Sequence, residues 1–131
     1  MAGNQRGVSL SAFFAVVVFA LLLAAGLVVD GGAQAVAARR AELVASAAAR
    51  AGADATTTSR LAGRAPDQVA AVAAAQRVLA ENADVSGDVR VVGARIQVTT
   101  RSGVDTVLLS LIGVRRLEAR GSAEAEVVSS R

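Results

Sequence analysis

At 131 residues the chain has room for one small domain beside a membrane-length segment, not for two full domains. It contains no Cys, His, Trp or Tyr, and all 14 basic residues are Arg, set against 11 acids for a net charge of +3. This composition excludes disulfides and any nucleophile activated by His, Cys or Lys, and the lack of a basic block or interleaved aromatic residues argues against nucleic acid as a partner.

Met1 to Gly7 is a short polar leader carrying Arg6. From Gly7 to Val29 there is no charged residue, a stretch that as a helix measures about 34 Å against a hydrocarbon core of roughly 30 Å. Leu, Val and Phe fill twelve of the eighteen positions from Ala12 to Val29. At roughly −0.3 to −0.6 kcal/mol each they contribute about −4 to −7 kcal/mol to insertion. A transmembrane helix over 8–30 is therefore expected. Arg6 precedes it and no basic residue follows until Arg39, which predicts a cytoplasmic amino terminus and an extracytoplasmic remainder of a single-pass protein in the cell membrane. Within the span Ala20 and Ala24 form a small-xxx-small pair, and Gly26 adds a third small surface for a neighbouring helix. Asp30 marks the membrane edge and is expected to be solvated there.

Gly31 and Gly32 predict a hinge or a point of close approach, since each costs about 1 kcal/mol relative to Ala in a helix. Residues 31–54 are otherwise almost wholly strong helix formers, and Val36, Leu43 and Val44 recur on one stripe suited to packing against another helix or a small sheet. Residues 55–66, rich in Thr and ending at Pro66, predict a surface loop. Pro66 and Asp67 then open a second helix running to about Asn82, with Val69, Val72, Ala73, Leu79 and Ala80 as its apolar face.

From Gly87 the period changes to two. Val89 and Val91, a tight turn at Val92-Gly93-Ala94, and Ile96, Val98 and Thr100 predict a β-hairpin. VLLSLIGV at 107–114 predicts a short helix or a buried connection. Leu117, Ala119, Gly121, Ala123, Ala125 and Val127 then alternate with polar residues as a third strand, one face buried and one solvated. The fold class expected is α+β: a long amino-terminal helix, then a small extracytoplasmic head over 67–131 with a second helix and a three-stranded antiparallel sheet.

Glu81, Asp84 and Asp88 gather before the hairpin, and Asp84-x-Ser86-x-Asp88 offers oxygen ligands. The rest of a calcium loop is missing, so a solvated turn is expected, with no metal, no cofactor and no small-molecule substrate. No Gly-rich phosphate cradle follows a strand and opens a helix. The chain reads as structural rather than enzymatic.

Arg6-Gly7 before an apolar run, GLVVDGG at 26–32, ARRAELVASAAARAGA at 38–53, ENADVSGDVRV, RIQVTT, TVLLSLIGV and the closing RGSAEAEVV together resemble the small TadE/TadG-like proteins of tight-adherence (Flp, type IV-related) pilus assembly from high-GC Gram-positive bacteria. The resemblance implies a pilin-like fold, a single span, and other pilin-like or pilus-assembly subunits as partners. It also implies prepilin-peptidase processing after Gly7, leaving Val8 as the first mature residue. Ala12 then stands where such relatives usually carry Glu, a departure that speaks for an uncleaved membrane component. The alternative is a secreted surface-binding protein released by signal peptidase at Ala33-Gln34-Ala35, with Val36 as its first residue.

Overall fold

The computed structural model describes residues 5–127. Its elements in chain order are α1 (Gln5–Ala55), α2 (Thr57–Leu61), α3 (Gln68–Glu81), β1 (Ser86–Val92), β2 (Arg95–Asp105), a 3-10 turn (Leu109–Ile112) and β3 (Arg116–Glu126). The architecture is α+β: one long helix, a second packed helix and a three-stranded antiparallel sheet in the order β1-β2-β3.

α1 is 51 residues long, about 77 Å at 1.5 Å per residue. It holds no Pro, and its Ala-rich second half carries the helix straight through Gly31 and Gly32. A Cβ at either glycine would meet nothing within 4 Å. Neither the hinge nor the close approach expected there is present: two isolated penalties of about 1 kcal/mol do not break a helix already propagating on both sides.

The two halves of α1 have opposite surroundings. Leu10, Phe13, Phe14, Val16, Phe19, Leu21 and Leu22 are all more than half exposed, whereas Ala41, Val44, Ala45, Ala48 and Ala49 are buried in the head. The buried positions run i, i+3, i+4, i+7, i+8 and continue to Gly52, so they form one face.

The sheet explains why that face is made of small residues. The hairpin turns on Gly93, whose φ of +60° supplies the positive angle a two-residue turn needs at its first position. On the covered face Ile96, Val98 and Thr100 of β2 stand opposite Ala125, Ala123 and Gly121 of β3. Large residues on β2 thus fill the space that small residues on β3 leave open, and α1 lies down across that step. A Cβ on Gly121 would collide with the backbone of Ala41 and Glu42. α3 closes the other side: Asp67 caps it by accepting from the Ala70 amide at 3.0 Å, and Ala71, Ala75 and Leu79 meet α1 and the sheet. A Cβ on Gly52 would come within 2.9 Å of the Ala71 carbonyl oxygen, so this helix crossing is also a contact of small residues.

Several expectations are corrected. The stripe Val36, Leu43, Val44 is split: Val44 is buried in the head's own core, while Val36 and Leu43 are 71% and 62% exposed and take no part in that core. On α3 the core face is Ala71, Ala75 and Leu79, and Val69 points outward with Ala73 and Ala80. The expected loop over 55–66 contains the short helix α2. Of the two alternatives for VLLSLIGV, the short helix is the one found, a 3-10 turn with Leu108 and Leu109 half-buried and Leu111 and Ile112 exposed.

Candidate functional site

The best-built polar feature among the described residues lies where the exposed half of α1 ends. Asp30 is buried, and its carboxylate accepts three backbone N–H bonds: Val107 at 2.9 Å, Leu108 at 3.1 Å and Leu109 at 2.7 Å. These amides are the unpaired donors at the start of the 3-10 turn, so the carboxylate caps that turn from 77 to 79 positions away. The solvated Asp30 expected from the sequence is therefore corrected. A segment distant in the chain returns to it and excludes water.

Gly26 sits one helical turn below Asp30 on α1, also buried. A Cβ there would stand 2.8 Å from Leu108 Cβ. Glycine is needed at this point so that the 3-10 turn can seat against the helix. Leu108, Leu109, Leu111 and Ile112 meet Phe19, Leu22, Leu23 and Gly26 around a small apolar cleft. Gly113 closes the turn at φ +93°, and its amide donates to Ser110 at 3.1 Å.

The other predicted site residues fall apart from this one. Ala20 and Ala24 are exposed on α1 and do not line the cleft between Gly26 and the turn. Gly7 and Val8 are helical in backbone, and the surroundings of their side chains lie outside the described residues. The small-residue surface expected to receive a neighbouring helix is thus split, Gly26 serving the chain's own turn and Ala20 and Ala24 facing outward.

Further ties hold the head to α1. Arg40 makes a two-pronged ion pair with Asp84, its Nη2 lying 3.0 Å from Oδ1, and also donates to Asn82 at 3.4 Å. The Arg40 guanidinium holds the Asp84 carboxyl below its ordinary 3.8. Asp84 is therefore an ion-pair partner of α1 rather than only part of a solvated turn. Gln34 donates to the Glu118 carbonyl at 3.2 Å, joining α1 to β3. On the open face of the sheet Glu118 is held below its ordinary value by Arg120 first and by Arg101 second.

Sequence reasoning missed the Asp30 cap, the Arg40–Asp84 pair and the bond that the Thr100 hydroxyl donates to the Ala41 carbonyl oxygen of α1. The one available signal was the apolar run at 107–114 itself, which had no face of a three-stranded head left to fill.

Among the described residues one helix is long and apolar enough to cross a membrane, and only 6% of its most apolar stretch is buried within the fold. Comparison with protein-family models, with curated proteins and with solved structures finds no match in any of the three.

Proposed function

We propose that this chain is a membrane-anchored, non-catalytic, pilin-like component of a TadE/TadG-like pilus-assembly system, inserted with its amino terminus in the cytoplasm and its head outside the cell membrane. The observation that carries the reading is the division of α1. One unbroken helix is stripped and apolar along its first half and forms the spine of an α+β head along its second. A soluble protein does not leave such a surface bare, whereas a bilayer covers it. Ala20 and Ala24, small and outward, suit lateral packing against other subunits within the membrane.

Release by signal peptidase after Ala35 is the competing reading. It would discard Asp30 and Gln34, leaving the amides of Val107, Leu108 and Leu109 without their acceptor. The cap is useful only to a chain that keeps its first half, which supports retention.

The test is the amino-terminal sequence of the protein recovered from its native membrane and from the extracellular fraction. A start at Met1 or Ala2 in the membrane supports a static assembly component, and a start at Val8 a processed pilin-like subunit. A chain beginning at Val36 in the extracellular fraction would sink the membrane-anchored reading.

A further inference from the structure

The turn between β2 and β3 leaves the head and follows α1 toward its amino terminus. Suspended from Asp30, it reaches alongside Gly26, Leu23, Leu22 and Phe19, and Phe19 lies eleven residues, about 16 Å of helix, below Asp30. Its outward side chains are large and apolar: Leu111 is 82% exposed and Ile112 55%. On a water-facing loop such a pair on one turn is an unfavourable patch.

Six of the eight backbone amides from Val107 to Val114 donate to acceptors within the chain. Asp30 takes the first three amides, and the Ser110 hydroxyl donates to the Val107 carbonyl at 2.6 Å. Leu111 donates to Leu108 at 3.2 Å and Val114 to Leu109 at 3.1 Å, while the Thr106 hydroxyl donates to the Val114 carbonyl. Backbone enters the apolar margin of a bilayer only when its donors are satisfied in this way. The charges also change at one level. Asp105, Arg115 and Arg116 flank the apolar run at its two ends, and Thr106 bonds Arg115 across its neck at 3.0 Å, beside the end of α1's own uncharged stretch at Asp30. A bilayer imposes a common boundary on separate segments, placing apolar side chains below and Arg at the headgroups. A protein partner imposes no such level.

We propose that the 107–114 turn is a second membrane contact, with Leu111 and Ile112 immersed among the acyl chains of the leaflet nearest the head, beside α1. The proposal rests on the membrane-anchored reading above. Together with the span it makes a two-point attachment, which sets the rotation of the head about α1 as well as its height above the bilayer.

The chain contains no Trp or Tyr, so a single introduced Trp is its only strong emitter. Full-length Leu111→Trp, Ile112→Trp, Phe19→Trp and Val69→Trp are each reconstituted into phosphatidylcholine vesicles with plain or dibrominated acyl chains. Leu111→Trp and Ile112→Trp lose emission in brominated vesicles to within about twofold of Phe19→Trp, while Val69→Trp, on the outer face of α3, keeps its emission. Quenching of Phe19→Trp with none at either turn position overturns the proposal and leaves the span intact. Blue-shifted but unquenched emission from the turn overturns it in favour of a protein contact. Absence of quenching at Phe19→Trp overturns the membrane reading itself, and the turn's role with it.

Discussion

Thr100 donates its hydroxyl to the carbonyl oxygen of Ala41 at 2.8 Å, joining the middle strand of the sheet to the second half of α1. Gly121, its partner in register on β3, lies beneath the same helix backbone. The bond and the missing side chain belong together, because the hydroxyl reaches a helix carbonyl only if the helix can descend onto the sheet. Thr100→Val keeps the shape and removes the donor, and is expected to lower the stability of the head by about 0.5–1.5 kcal/mol. Gly121→Val forces the helix off β3 and is expected to cost about 1–3 kcal/mol or more. Denaturant titration of the full chain in detergent micelles checks both, and an effect of Gly121→Val no larger than that of Thr100→Val would refute the close-approach argument.

Ile96 is fully buried between α1 and α3, whereas Val69 is 80% exposed despite its place on the helix. Ile96→Ala is expected to destabilise the head by about 2–5 kcal/mol, through lost transfer energy and the cavity left behind. Val69→Ala is expected to change it by no more than about 0.5 kcal/mol. Hydrogen exchange of the β2 amides separates the two, and equal effects would show that α3 packs through a different face.

The Arg40–Asp84 pair gives the head an acid limb. Asp84 has a folded-state value below its ordinary one because Arg40 binds the ionised form. The pair's contribution is therefore fully present above the ordinary carboxyl value of 3.8 and fades as pH falls through the lower folded value. Asp84→Asn is expected to flatten the loss of stability below about pH 4, and high salt to weaken the same limb because both side chains are about half exposed. Chemical denaturation at stepped pH checks it. An unchanged acid limb in Asp84→Asn would assign that limb to Glu118 and the other carboxylates.

Gly26 and Ala24 lie two residues apart on α1 and separate two kinds of packing. Gly26→Leu is expected to expel Leu108, speeding exchange of the Val107, Leu108 and Leu109 amides by about tenfold or more as their bonds to Asp30 loosen. Ala24→Leu leaves the turn seated and is expected to reduce recovery of partner subunits from the membrane at unchanged expression. Normal recovery with Ala24→Leu would remove that face from the proposed lateral contact.

The local periods were legible in the chain itself. The uncharged run before Asp30, the alternation from Val89 to Thr100 and from Leu117 to Val127, and the helix opening at Pro66 and Asp67 each depend on residues within a few positions of one another, and each became the helix or strand expected. The α+β class followed from their order. Which face of α1 would be covered did not follow, because apolar periodicity ranks faces by side-chain size and favoured Val36 and Leu43. The fold instead buried Ala41, Ala45, Ala48 and Ala49, since small residues let the helix backbone approach Gly121 closely enough for Thr100 to reach it. Asp30 is the same lesson in electrostatics. A carboxylate at the end of an apolar run is solvated by default, and only the return of residues 107 to 109, three amides arriving from the connection between β2 and β3, made it a buried cap.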